Sequence, residues 1–197
     1  MAADMKKGHY IVLEGIDGTG KSTISRTLIS EHPDWECTME PRNPEKTVSA
    51  AEGRSPIADV LLFAADRVEH MKDIKEFIES GRTILSDRSF YSSMAYQATA
   101  MKDSFGGIEE AISWVREVNR PFVIQPDAVI LLDMPAGKSL SRLASRDEIT
   151  RFEKEEYLES VRHTYLILAQ RHNFHIVDAE KPLENVISDC REIIEGL

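Results

Sequence analysis

His9-Tyr-Ile-Val-Leu-Glu14 runs directly into Gly15-Ile-Asp-Gly-Thr-Gly20-Lys21-Ser22-Thr23, and this junction decides how the chain is read. The first six residues form a short apolar run of strand length. The next eight match the phosphate-loop pattern Gly-x-x-x-x-Gly-Lys-Ser, and an amphipathic helix starts behind them. Glycines let such a loop wrap an anion with its backbone N–H groups, and the helix N-terminus adds positive potential. Lys21 is then placed to reach the β- and γ-phosphates of a nucleotide, and the Ser22 hydroxyl to ligate Mg²⁺. Gly15, Ile16, Asp17, Gly18, Thr19, Gly20, Lys21, Ser22 and Thr23 are therefore the expected nucleotide-binding set. A Gly-rich turn with a surface lysine is the bland alternative, and the strand-loop-helix context argues against it.

Outward from this junction, short apolar runs alternate with helical-period segments, the pattern of βαβ units around a parallel sheet. Besides His9 to Glu14, strands are expected at Trp35 to Glu40, Arg82 to Asp87, Asp127 to Asp133 and Asn173 to Asp178. One predicted helix carries Ile57, Leu61, Ala64, Val68, Met71, Ile74 and Ile78 at spacings of three and four, a core stripe. A second runs from about Glu153 to Arg171 with Tyr157, Val161, Tyr165 and Leu168 on one side, and a third follows Pro182. Pro41 to Pro56, rich in proline and polar residues, reads as a loop. The expectation is an α/β fold, with a five-stranded parallel sheet, helices on both faces and the site at the strands' carboxyl ends. At 197 residues, the chain is expected to form one domain over 1–197.

Composition narrows the partners. Hydrophobic residues make up 42 % and charged residues 29 %, an ordinary globular balance. Asp plus Glu outnumber Lys plus Arg by 34 to 24, a net charge of −10 that disfavours non-specific grip on nucleic acid or anionic membrane. Any phosphate is left to a local cluster of cations. Cys37 and Cys190 are too few for a disulfide framework and lack metal-ligand spacing, the polar start Met1 to Gly8 does not read as a leader, and no run is long enough to span a membrane. A cytoplasmic protein is expected. The histidines show no zinc-hydrolase spacing, and His172-x-x-His175 reads as structural.

The guanine-reading Asn-Lys-x-Asp is absent, and Asp103-Ser-Phe-Gly106 follows no apolar strand, so it reads as a loop. The third strand ends in Asp87-Arg88 and continues Ser89-Phe-Tyr-Ser-Ser-Met-Ala-Tyr96-Gln97. A carboxylate at that strand end can hold Mg²⁺, and Arg88 can neutralise a phosphoryl oxygen. Arg88, Ser92 and Tyr96 recur on one helical face, with Ser93 and Gln97 beside them. In Leu61-Leu-Phe-Ala-Ala-Asp-Arg67, Phe63 and Arg67 fall one turn apart on one side and present a flat ring with a cation. Capped or amphipathic surface helices are the plain alternatives for both segments.

These segments, in this order from Tyr10 to Leu197, resemble the thymidylate kinase family. The resemblance implies transfer of a phosphoryl group from ATP to dTMP with Mg²⁺ and small-molecule nucleotides as partners. It implies that Phe63 stacks on the thymine, that Arg67 hydrogen-bonds its O4, that Asp17 accepts from the 3′-hydroxyl, and that Arg42, after Glu40-Pro41, grips the monophosphate. Some relatives place that arginine before the acid-proline pair, where this chain has Met39. The resemblance also implies a lid at about 142–153, whose Arg142, Arg146 and Arg151 close over the ATP phosphates. Because the phosphate loop has no basic residue before Lys21, Arg146 and Arg151 join Lys21, Asp87 and Arg88 as the catalytic set. Adenine would pass Val177 to Pro182, and two copies would pack as a homodimer through the helices after the second and third strands.

Two other readings stay open. Ser89 and Phe90 stand where relatives carry an aromatic or histidine, which leaves room for a kinase of dUMP, another deoxynucleotide or a deoxynucleoside. A nucleotide-dependent switch would hydrolyse ATP or GTP slowly and need a partner.

Overall fold

Five parallel strands lie in the order β2-β3-β1-β4-β5 in the computed structural model, which describes residues 7–47, 54–143 and 148–197. β1 (Tyr10–Glu14) is central, between β3 (Ile84–Asp87) and β4 (Ala128–Asp133), with β2 (Glu36–Met39) and β5 (His175–Asp178) at the edges. All five expected strands are present, each one or two residues shorter than its apolar run. Leu13 pairs with both Asp87 and Ile130, and Met39 pairs with Asp87, so β1, β2 and β3 end level with one another.

The central strands are buried on both faces, which is why they read as continuous apolar runs rather than as alternation. Ile11, Leu13, Leu85, Ile130 and Leu132 pack against α1 (Lys21–Glu31) and α8 (Leu183–Glu195). Tyr10, Val12, Ile84, Val129 and Leu131 face α3 (Pro56–Glu79), α4 (Phe90–Met101), α5 (Ile108–Asn119) and α7 (Glu148–His172). Thus β1 feeds a helix on one face while its neighbour β3 feeds α4 on the other. Such a switch opens a crevice at the strands' carboxyl ends.

Two short helices complete the description, α2 (Pro44–Thr47), inside the stretch expected as loop, and α6 (Ala136–Arg142). Arg162 on α7 grips both oxygens of Asp133 at 2.7 and 2.8 Å, while Glu159 accepts from the Ala136 N–H at the start of α6. Together they tie α7 to the end of β4. Asp103–Gly106 lies beyond α4 in a short 3₁₀ turn and no strand leads into it, as its sequence suggested.

The core stripe of α3 needs correction. Its buried residues are Val60, Ala64, Arg67, His70, Met71, Ile74 and Ile78. Ile57 and Leu61 are 39 % and 52 % exposed, and Val68 is half-buried. The face is rotated because it includes a cation and an imidazole, which apolar periodicity places outside. In α7, Val161, Tyr165 and Leu168 are buried as expected, whereas Tyr157 lies at the surface and donates to the Tyr96 carbonyl at 2.9 Å. Among the described residues no helix is long and apolar enough to cross a membrane.

Ile74, 1 % exposed, tests the corrected face. Ile74→Ala is expected to cost about 2–5 kcal/mol in urea unfolding, through lost transfer energy and an unfilled cavity.

Candidate active site

The sharp turn out of β1 depends on Gly15 and Gly18. Gly15 has φ +141°, and a Cβ there would lie 2.6 Å from the Leu132 carbonyl oxygen; Gly18 has φ +84°, and its Cβ would lie 2.4 Å from that of Ser139. Larger residues fit neither position. Within the loop, Lys21 turns inward and donates to the Gly15 and Ile16 carbonyls at 2.8 and 2.9 Å. Burial, and then the Arg88 cation, pull its ammonium down to about 7. A phosphate anion brought beside it would favour the charged form again.

Ser22, in the first turn of α1, donates to Asp87 Oδ2 at 2.7 Å. A hydroxyl and a carboxylate meeting beside a phosphate loop are hard oxygen donors, and one protein carboxylate is what Mg²⁺ takes when nucleotide phosphates supply further ligands. The pair fits that ion. Among the described residues no cluster of three or more His, Cys, Asp or Glu could hold a metal.

Arg88 is the pivot of the site. Its N–H pairs with the Leu13 carbonyl at 2.9 Å, continuing the sheet by one residue, and its φ of +76° then turns the chain into α4. Ser86 Oγ donates to its carbonyl at 2.7 Å, and Ser89 caps α4 by accepting from the Tyr91 N–H. The guanidinium donates to Asp17 Oδ1 at 2.6 Å and to Ser92 Oγ at 3.0 Å, and it lies 5.1 Å from the Tyr96 ring centroid. The Asp17 N–H in turn donates to the Tyr96 hydroxyl at 3.1 Å.

Beneath Arg88 lies Glu14, fully buried. Its carboxylate accepts from the Ser89 N–H and hydroxyl, the Ser92 hydroxyl and the Tyr165 hydroxyl, all within 2.7–2.9 Å. Burial raises its pKa, and the nearby Arg88 and these hydroxyl donors pull it back. In sequence Glu14 is simply the last residue of a strand. A carboxylate inside an otherwise apolar run was the available signal, because a buried acid needs partners.

Two cavities meet at this pivot. One of about 810 Å³ is lined by Gly18 to Thr23, Arg142, Ala179, Lys181 and Leu183, so the phosphate loop and the segment expected beside adenine share one wall. The other, about 330 Å³, is lined by Phe63, Arg67, Ser92, Ser93, Tyr96 and Gln97. Asp17, Glu40 and Arg88 line both. Arg142 also donates to the Ala179 carbonyl at 3.1 Å, which links α6 to the loop after β5. Arg67 is almost fully buried and is held by Glu40, Asn119 and Ser93.

Arg42 is not brought to either cavity. Asp66 accepts from the backbone N–H groups of Arg42 and Asn43, and the Arg42 guanidinium pairs with Asp73 at 2.5 Å on the outer side of α3. An acid one or two turns along the adjoining helix holds the cation that the sequence reading assigned to a monophosphate. Arg146 and the Arg151 side chain lie outside the described residues. His172 packs against Tyr91, with ring centroids 5.3 Å apart, a structural placement.

A family model described as thymidylate kinase matches residues 13–190. The chain is 33 % identical to a probable thymidylate kinase of Methanococcoides burtonii over 97 % of this chain and 98 % of that one. Probable thymidylate kinases of Methanosarcina mazei and Pyrococcus horikoshii are 36 % and 37 % identical; the matches cover 91 % and 96 % of this chain and 92 % and 97 % of theirs. With that identity sustained from end to end, and with the phosphate loop and the Asp87-Arg88 turn inside the matched span, the chain belongs to the thymidylate kinase family.

Proposed function

We propose that the chain transfers the γ-phosphoryl group of Mg-ATP to dTMP, giving dTDP and ADP, with ATP in the larger cavity and dTMP in the smaller. The observation that carries this reading is that Arg88 lines both cavities and is held there by Asp17. A cation at that junction is shared by donor and acceptor.

The acceptor phosphate is already an anion at neutral pH, so no general base is needed; catalysis is positioning and charge neutralisation. The loop N–H groups and Lys21 hold the β- and γ-phosphates, and Arg88 offsets charge on the transferring group. Ser22 and Asp87 would hold Mg²⁺, which when bound screens the phosphate charge. On the acceptor side, Phe63 stacks on the base and Arg67 donates to its O4, while Ser92, Ser93, Tyr96 and Gln97 complete the wall. Asp17 accepts from the 3′-hydroxyl. Gly18 leaves no room for a basic side chain at its position and the loop has none before Lys21, which supports a lid at about 142–153 whose Arg146 and Arg151 complete the cage and keep water out.

Two copies pair as a homodimer through the outer side of α3, where Ile57, Leu61 and Val68 face away from the chain's own core. A cytoplasmic setting, where both nucleotides occur, suits this chemistry.

In a coupled ADP-release assay with Mg-ATP, turnover should be fastest with dTMP among dTMP, dUMP, dCMP, dGMP, AMP and thymidine. Arg88→Ala, checked for folding by circular dichroism, should lower dTMP turnover by about 10³-fold or more. Turnover indifferent to any acceptor would favour the switch reading instead. Arg42→Ala should leave kcat/KM for dTMP within about threefold, since its guanidinium serves Asp73; an Arg88-sized loss would return it to the site. Leu61→Glu should shift the sedimentation coefficient from dimer to monomer, and an unchanged dimer would place the interface elsewhere.

A further inference from the structure

Arg67 is 2 % exposed, and a guanidinium so withdrawn from water needs acceptors for its five N–H donors. Among the described residues, three are taken. Nε donates to Glu40 Oε2 at 2.7 Å, Nη1 to Asn119 Oδ1 at 2.5 Å, and Nη2 to Ser93 Oγ at 3.1 Å. One N–H on each terminal nitrogen has no acceptor among the described residues, and Arg67 lines the smaller cavity. A pair of donors with no acceptor between them can only read an acceptor.

Glu40 and Ser93 also line that cavity, but Asn119 does not. Asn119 is the last residue of α5, 52 residues along the chain from Arg67, and is fully buried. Its Nδ2 donates to the Val115 carbonyl at 2.8 Å, so the amide is oriented with Oδ1 towards Arg67. The opposite flip would set N–H against a guanidinium and face two carbonyl oxygens. For stability alone an apolar pair of similar volume would serve as well. A neutral acceptor also leaves the Arg67–Glu40 ion pair with no net charge beside a cavity that takes an anionic monophosphate.

We propose that Asn119 is a positioning residue for base specificity. It fixes the guanidinium of Arg67 from behind, so that the unused N–H donors favour a pyrimidine with a carbonyl at position 4 over one with an amino group there. The mechanism is geometric: with Nη1 untethered, the guanidinium can rotate about its last torsions and the two donors lose their common aim. This rests on the proposed reading that the smaller cavity holds dTMP.

The test compares dTMP with dCMP, which differ at that position in carbonyl against amino group. kcat and KM for both, KM for ATP and the thermal unfolding midpoint are measured for the wild type, Asn119→Leu and Asn119→Asp. Asn119→Leu removes the acceptor at similar volume; its dTMP to dCMP ratio of kcat/KM should fall by about tenfold or more, mainly through the KM for dTMP. KM for ATP should stay within about twofold. Asn119→Asp keeps an oxygen acceptor and should hold the ratio within about threefold of wild type. A structural role alone would lower the unfolding midpoint and leave the ratio unmoved. If Asn119→Leu does not fold, Asn119→Ala carries the same expectation. A folded acceptor-less variant with the wild-type ratio overturns the inference while the function stands, as does Asn119→Asp losing the ratio equally. A wild type that does not prefer dTMP overturns the functional reading and this inference with it.

Discussion

The carboxylate of Glu14 is the constraint on which the rest of the site depends. A fully buried acid at the end of the central strand would be costly unless nearly every lone pair were satisfied, and its donors come from two other parts of the chain. Ser89 and Ser92 bring the start of α4, Tyr165 brings the middle of α7, and Arg88 lies alongside. Satisfying Glu14 therefore ties the start of α4 and the middle of α7 to the end of β1. It also anchors Ser92, which with Asp17 holds the Arg88 guanidinium.

That arrangement shows how a chain of net charge −10 can hold anions. Lys21 and Arg88 are withdrawn from water and bonded to carbonyls, hydroxyls and one acid, so their positions precede any ligand. The field is local, and the surrounding acidic surface does not need to change. Preorganised donors cost little reorganisation when charge shifts from one phosphate to another, which is the main demand of phosphoryl transfer. The packing of Gly18 against Ser139 has a further consequence: position 18 cannot carry a side chain, so the cations lining the larger cavity are Lys21, Arg88, Arg142 and Lys181 among the described residues.

What the sequence made legible was local and periodic. The phosphate loop, the five strands and the Asp87-Arg88 turn each depend on residues adjacent in the chain, and each is found where adjacency put it. What it hid were polar groups whose partners lie far away. Arg67 sits on the inward side of α3 because Glu40 and Asn119, 27 and 52 positions distant, satisfy it. Periodicity alone counts an arginine as outward, which displaced Ile57 and Leu61 into a core they do not join. Arg42, which the family resemblance assigns to the monophosphate, turns to Asp66 and Asp73 here, partners that its place beside an acid-proline pair does not reveal. Phe63 and Arg67 do line one cavity, a juxtaposition legible in their spacing of one helical turn.

The two buried clusters solve one problem in different ways. Around Glu14 the acid is met by hydroxyls and a backbone N–H, so the network has few charges and many donors, and its product is a fixed backbone turn. Around Arg67 the cation is met by one acid, one amide and the Ser93 hydroxyl, with His70 bridging Glu40 to Thr38 through contacts of 3.4 and 2.6 Å. Here the acceptors found among the described residues are fewer than the five N–H donors, and Arg67 lines the smaller cavity. A surplus of donors in the interior is unfavourable in the free protein, and an acceptor that enters the cavity relieves it. If the smaller cavity takes the base as proposed, a ligand that lacks such an acceptor would leave the donors unpaired, so discrimination would come from the cost of the wrong base as much as from attraction to the right one.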